Sequence, residues 1–399
     1  MSLGPPADWS DALRAATSGP LAVPLLVIDE LPYLLDHSPE LESVLQHVAD
    51  NSRDGGGTSV VLCGSSLSIM GGLLGGGRPL RGRADLQLRL EPFDYRTSAV
   101  FWQAADPSVA FRLDAIVGGL PGYRSLARGA PTTTADFDDW VTEQVLAPSS
   151  ALLREDDYLL GEDRRVGDRS IYRSVLAAIA SGEHRPSRIA GRVGRVQTSL
   201  TSAFKVLIEA GFVVNDAGLL ASQDPLYRIA DPIVTFLAAC AQPWKPLIEE
   251  GRGRAAWQFA QPAWRSQVLG PHLERLARVW ASRFASAKTL GGEAGLVGRA
   301  EVADPTARMA REIDVVVLQP GAKPGPSVPV LAIGECKLHA TTSCLQQLDR
   351  AAEVLVARGH GTPLKRLLFA ETWSPELEPI VSARPDVELV NLERLYAGT

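Results

Sequence analysis

Leu21-Ala22-Val23-Pro24-Leu25-Leu26-Val27-Ile28-Asp29-Glu30 contains the first compact apolar run of the chain, and the run ends abruptly in two acids. A short unbroken apolar run reads as a strand buried in a parallel sheet, here with both acids at its carboxyl end. Downstream, Leu41, Val44, Leu45 and Val48 fall at helical spacing within 38–51. The turn Asp54-Gly55-Gly56-Gly57 then leads to a second run, Ser59-Val60-Val61-Leu62-Cys63, followed by Gly64-Ser65-Ser66. Strand, helix and strand in this order make an α/β unit.

Working outward, the segment 71–77 is nearly all Gly and Leu and reads as a mobile loop. After Arg81-Gly82-Arg83, an alternating pattern predicts a short strand ending in Leu90-Glu91-Pro92-Phe93. Residues 97–153 have a mostly helical pattern, interrupted by the turn Gly118-Gly119-Leu120-Pro121-Gly122-Tyr123. Crowded charges over 154–169 read as a linker with a boundary near 165. Three helices follow, over 171–180, 187–193 and 196–210, and a hairpin runs from Gly211-Phe212-Val213-Val214 into Gly218-Leu219-Leu220. Three short helices and a hairpin predict a winged helix-turn-helix. A connection rich in Pro and Trp (Pro243, Trp244, Pro246, Trp257, Pro262, Trp264) leads to a final α/β segment. There the pattern predicts a helix over 271–285, strands over 312–318 and 328–334, a helix over 344–358, and strands over 365–370 and 387–390. The expected class is α/β in three parts: a first α/β domain over 1–165, a winged helix over 166–245 and a third α/β domain over 255–399.

The chain's 399 residues suit two or three domains, and 45% hydrophobic with 22% charged residues excludes disordered and fibrous classes. Lys and Arg total 40 against 46 Asp and Glu, so the net charge of −6 gives no global attraction to nucleic acid. Any such contact requires a local patch. Cys63, Cys240, Cys336 and Cys344 are too scattered for a disulfide framework or a paired metal motif, which points to a reducing cytoplasm. No apolar run approaches the roughly 20 residues that span a bilayer, and no membrane association is expected.

The first acids suit nucleotide chemistry. Asp29 would hold Mg²⁺ and Glu30 would polarise the water that attacks a γ-phosphate. The same pattern also arises where a buried strand simply ends in two solvated acids. Ser65 stands at the tip of the next strand, where a side chain could sense the γ-phosphate. Arg81 or Arg83 is either an arginine finger or surface charge.

These stretches resemble the archaeal-type ATPase family, AAA+ and STAND-like P-loop proteins fused to a winged helix and a C-terminal domain of unknown function. The matching residues are Leu26-Val27-Ile28-Asp29-Glu30-Leu31-Pro32-Tyr33-Leu34, Leu62-Cys63-Gly64-Ser65-Ser66, Gly82-Arg83, Pro92-Phe93, Gly118-Gly119-Leu120-Pro121-Gly122-Tyr123 and Tyr227-Arg228-Ile229-Ala230-Asp231-Pro232. The chain departs from the family in having no GxxxxGK[ST] loop. Of its lysines, Lys288 alone is followed by Ser or Thr, and that residue lies in a helical context after Ala287. Without the loop, the amide cradle and the lysine charge for the phosphates are missing. The expectation is an N-terminally incomplete or decayed ATPase half that binds ATP weakly or not at all.

In the second part, Arg185, Arg188, Arg192 and Arg195 gather around two short helices, with Lys205 on the third. Gln197, Thr198 and Ser199 open that third helix, where the first residues of a recognition helix meet base edges. The alternative is a winged helix that serves as a spacer or docking lid.

In the third part, Arg311-Glu312-Ile313-Asp314 precedes Gly334-Glu335-Cys336-Lys337. Residues two apart on a strand share a face, so Glu335 and Lys337 point together while Cys336 points into packing. Asp314 and Glu335 supply hard oxygen ligands for a divalent cation, and Lys337 can orient the attacking water. This layout resembles the PD-(D/E)xK nuclease superfamily. The resemblance implies Glu274 as a further acid and Gln346 or Gln347 as a substrate-positioning amide. The alternatives are a surface ion pair for the acids and lysine, and a surface role for His339.

The leading expectation is a protein with a Mg²⁺-dependent DNA nuclease-like domain and a winged helix, with DNA as its partner and its oligomeric state open. The rival is a non-enzymatic regulatory or toxin–antitoxin-like scaffold whose ATPase and nuclease sites are degenerate.

Overall fold

The computed structural model describes residues 6–18, 22–52, 57–65, 67–162, 169–220, 226–305 and 307–399. Ser66, most of the turn at 54–57 and the expected boundary near 165 lie outside the described residues. Contacts divide the chain into two units, 1–91 with 206–211, and 92–205 with 212–399.

In the first unit the order is α1 (Trp9–Ser18), β1 (Leu25–Ile28), α2 (Leu31–His37), α3 (Leu41–Ser52), β2 (Ser59–Leu62) and α4 (Leu67–Gly72). β1 and β2 pair in parallel from Leu25↔Ser59 to Ile28↔Leu62, as the α/β unit requires. Leu13, Ile28, Leu31, Leu41, Leu45 and Val48 form the core.

Three expectations change here. β1 is not buried on both faces, because Leu25 and Val27 are each 53% exposed. Alternate residues of a strand face opposite sides, and only the face toward the helices is covered. The glycine-rich segment is not an unanchored loop. It ends α4 and continues in turns, with Leu73 buried in the core. The alternating segment after Arg83 forms no strand, and Leu86, Leu88 and Leu90 are 79%, 71% and 84% exposed. Its period is that of a strand, but it has no ladder partner among the described residues.

The second unit opens with α5 (Tyr95–Trp102) and α6 (Pro107–Val117). Asp106 caps α6 by accepting from the Ser108 amide at 2.8 Å, with Pro107 in the first turn. Then come α7 (Arg169–Ala180), α8 (Pro186–Val193) and the start of α9 (Thr201–Glu209), whose residues from Val206 on belong to the first unit, followed by an antiparallel pair, β3 (Val213–Asn215) and β4 (Tyr227–Ile229). After α10 (Gly253–Ala263) and α11 (Gly270–Arg283) a five-stranded sheet forms from β5 (Val297–Asp304), β6 (Met309–Leu318), β7 (Val330–Ala340), β8 (Lys365–Trp373) and β9 (Val387–Val390), in sequential order. The first two pairings are antiparallel and the last two parallel. Between β7 and β8 the chain crosses over through α12 (Thr342–Ala357), and α13 (Leu392–Ala397) ends the fold.

Leu345, Leu348, Ala352 and Leu355 of α12 share a core with Val316, Ile333 and Leu368 of the sheet. From α11, the fully buried Trp280 meets Phe369 of β8 edge-on, with ring centroids 5.7 Å apart. β5 has no apolar run in the sequence because Gly298, Arg299 and Glu301 interrupt it. Gly298 is required there, since a Cβ would come within 2.9 Å of Leu219, whose amide donates to the Arg299 carbonyl at 2.9 Å.

α6 and α11 meet through buried Asp114 and His272. Arg275 Nη2 lies 3.0 Å from His272 Nδ1. A guanidinium only donates, so Nδ1 accepts and Nε2 carries the ring proton. Nε2 faces Asp114 Oδ2 at 3.3 Å, an electrostatic contact rather than a formed hydrogen bond. Burial and the Arg275 charge hold the His272 pKa down at about 4 against the opposing pull of Asp114. The unfolded chain therefore binds this proton first as pH falls, below an ordinary value of 6.5. Stability from this group is present above pH 6.5 and declines as pH drops toward about 4. Denaturant unfolding at pH 5 and 7 is expected to show a smaller pH difference in His272→Gln than in the parent; an unchanged difference would exclude His272 as its source.

Candidate functional site

β6 and β7 are last paired at Val315↔Gly334, so Asp314 and Glu335 emerge side by side where that ladder ends. Lys337 Nζ lies 2.6 Å from Glu335 Oε1, 3.2 Å from the Cys336 carbonyl and 4.0 Å from Asp314 Oδ2. The Cys336 amide donates to Asp314 Oδ2 at 2.9 Å, while its side chain is buried. β7 continues to Ala340 because it stays paired with β8 through His339↔Thr372 and Ala340↔Trp373. The Glu-Cys-Lys triplet therefore sits within a strand rather than at its end, as the sequence pattern had suggested.

α11 supplies Glu274 and Arg278, one turn apart on one face. Arg278 Nη1 donates to the Asp314 carbonyl at 2.9 Å and stands 3.8 Å from Glu274 Oε2. Arg278 also lies 3.6 Å from Asp216 Oδ2, after β3. Sequence reading did not identify Arg278. The available signal was its spacing of four residues from Glu274.

Crowding of carboxylates governs the electrostatics. Burial and the nearby Asp314 charge raise the Glu274 pKa to about 7. The same two causes raise Glu335, with Lys337 opposing them. Burial opposes the charge on Lys337, but the hydrogen bond to Glu335 and the charges of Glu335 and Asp314 keep its ammonium well above the ordinary lysine range. The Cys336 thiol is pushed up by burial.

Among the described residues, no group of three or more His, Cys, Asp or Glu side chains is arranged to hold a metal ion. The oxygens gathered around Lys337 Nζ come from two carboxylates and one backbone carbonyl, a hard donor set that suits Mg²⁺. Gln346 and Gln347 are exposed on α12, and no hydrogen bond joins either to Asp314 or Glu335.

At the end of β1, the Glu30 amide donates to Asp29 Oδ1 at 2.9 Å, and Glu30 adopts a left-handed backbone with φ 49°. A non-glycine residue in that region costs on the order of 1 kcal/mol or more. Ser65 Oγ donates to Glu30 Oε2 at 3.4 Å, so Asp29, Glu30 and Ser65 are together. Arg83 is not with them. Its guanidinium is committed to Asp50 at 2.7 and 3.0 Å.

Arg188, Arg192 and Arg195 are exposed and have no ion-pair partner among the described residues. Arg185, in contrast, pairs with Glu301 of β5. Gln197, Thr198 and Ser199 are exposed, but they form a 3₁₀ turn ahead of α9 rather than its first α-turn.

Three of the motif stretches meet one another. The Phe93 amide donates to the Gly119 carbonyl at 2.9 Å, and a Cβ on Gly119 would come within 2.0 Å of the Phe93 carbonyl oxygen. Gly118 packs against Pro232, and Tyr123 Oη donates to Asp231 Oδ2 at 2.6 Å. Close backbone approach explains Gly119, and a φ of 56° beside the Pro232 ring explains Gly118. No helix of the described residues is long and apolar enough to cross a membrane.

No family model matches the chain. An uncharacterised protein of Methanocaldococcus jannaschii is 26% identical over 231 residues, which cover 57% of this chain and 51% of that protein. The match thus spans about half the length of that relative. A solved structure, a Walker-type ATPase of Pyrococcus abyssi, is similar over 54% of this chain and 62% of its own, with 21% identity and a TM-score of 0.40.

Proposed function

We propose that the Asp314, Glu335 and Lys337 cluster is a Mg²⁺-dependent phosphodiesterase site of the PD-(D/E)xK kind, acting on nucleic acid. The observation that carries this reading is the placement of Lys337 Nζ among the Glu335, Asp314 and Cys336 oxygens. Asp314 and Glu335, with the Cys336 carbonyl, would hold the cation. A bound Mg²⁺ polarises a phosphoryl oxygen and lowers the pKa of water. Lys337, released from Glu335, orients the attacking water. Glu274, raised by burial and by the Asp314 charge, is the further acid beside the site. Arg278 fixes Glu274 against the Asp314 backbone. The test is nicking of plasmid DNA by pure protein with Mg²⁺ or Mn²⁺; no cutting with either favours the scaffold reading.

The helices α7 to α9 with β3 and β4 follow the order of a winged helix, and we read the free arginines as its contact with DNA phosphates. Replacing Arg188, Arg192 and Arg195 together by Ala is expected to reduce the slope of log affinity against log salt by about 3. An unchanged slope would assign the arginines to ordinary surface charge.

The first unit we read as kin to P-loop ATPases. The grouping of Asp29, Glu30 and Ser65 supports that reading, whereas the sequence has no phosphate loop and Arg83 is held by Asp50. Calorimetric titration with ATP and Mg²⁺ is expected to give no micromolar binding, and micromolar affinity would overturn this expectation.

A further inference from the structure

A cleft of about 330 Å³ opens beside the far ends of β7 and β8. Its lining includes Arg112, Gln261, Arg265, His339 and Thr372, over a floor that includes Trp264. His339 is two residues beyond Lys337, so both lie on one face of β7. The cleft therefore lies farther along the same strand from the acid cluster described above.

The charges in the cleft are unequally committed. Arg112 is paired with Glu371, and Asp138 accepts from the Trp257 indole at 2.8 Å. Arg265 is exposed, and its guanidinium has neither a hydrogen bond nor an ion pair among the described residues. His339 Nδ1 lies 2.8 Å from Thr372 Oγ1, and that hydroxyl donates to the Leu338 carbonyl at 3.5 Å. His339 is thus tied to Thr372 through Nδ1, and no hydrogen bond involves its Nε2 among the described residues. Among the described residues, the Arg265 guanidinium is thus a cation in the cleft that the fold leaves without a protein partner. A planar guanidinium suits a phosphate, because it can donate two parallel hydrogen bonds to it.

We propose that this cleft is the subsite for a backbone phosphate flanking the scissile one, with Arg265 as the residue that binds it. The proposal rests on the nuclease reading of the neighbouring cluster. It adds the contact that sets the register of the nucleic-acid strand on β7.

The experiment uses the full chain and a fluorescent single-stranded DNA oligonucleotide, first with Ca²⁺ in place of Mg²⁺ and then with Mg²⁺ for cleavage. Arg265→Gln is expected to weaken binding about tenfold and to flatten the salt slope by about 1. In cleavage it should raise KM with kcat little changed. Arg265→Lys, which keeps the charge but loses the fork, should lie between the two. Arg265 is exposed, so thermal unfolding of both variants should match the parent. If the parent cuts DNA and Arg265→Gln keeps the parent's affinity, slope and KM, the subsite is wrong while the nuclease reading stands. If the parent neither binds the strand nor cuts plasmid DNA, both are overturned.

Discussion

Asp314→Asn is expected to lower divalent-dependent cleavage about 100-fold or more while the protein remains folded. The amide is nearly isosteric, and its oxygen can still accept from the Cys336 amide, as Asp314 Oδ2 does at 2.9 Å. What is lost is one negative charge from a set of oxygens that would bind the cation. The same charge raises Glu274 and Glu335, so its removal should return both toward ordinary carboxylate values. Relief of that repulsion predicts an unfolding temperature equal to or above the parent's at pH 8, without added metal. Plasmid nicking gives the first readout and thermal unfolding the second. Full activity in Asp314→Asn would remove this cluster from the chemistry and favour the scaffold.

Trp280→Ala is expected to destabilise the second unit by roughly 3–5 kcal/mol, the cost of emptying a large buried site. Trp280 is 0% exposed and carries the contact of α11 with Phe369, while Arg394 lies 5.5 Å from its ring. Its indole Nε1 is buried without a hydrogen bond, so truncation also removes an unsatisfied donor. That offset places the expected loss at the low end of the range. Trp280→Phe, which keeps an aromatic edge against Phe369, should cost less than the alanine change. Urea unfolding checks both; a loss under about 1 kcal/mol for Trp280→Ala would mean that α11 collapses onto the sheet without it.

Regular elements with a strong local period were legible in the sequence. The helix predicted over 271–285 is Gly270–Arg283, and the strand predicted over 387–390 is Val387–Val390. β5 was not legible, because its inward residues Ala300 and Val302 are separated by Glu301 and preceded by Gly298 and Arg299. The exposed leucines at 86, 88 and 90 fail in the opposite sense. Their alternation is that of a strand, yet pairing depends on a neighbour that local sequence does not specify.

The candidate site was legible as residue types and not as an arrangement. Alternation along β7 is local geometry, so Glu335 and Lys337 on one face followed from spacing alone. The register Val315↔Gly334, which sets Asp314 beside Glu335, depends on long-range pairing. So does the approach of α11, which brings Glu274 and Arg278 to Asp314 from 40 and 36 residues upstream in sequence. Sequence by itself determined the α/β character, the absence of a GxxxxGK[ST] motif from these 399 residues and the set of acids, because these are properties of composition and short spacing. Tertiary structure alone decided that Arg83 belongs to Asp50, that Arg185 belongs to Glu301, and that Arg265 is left uncommitted beside His339. Which cation pairs with which acid depends on distances across the fold, and side-chain spacing along the chain carries no record of them.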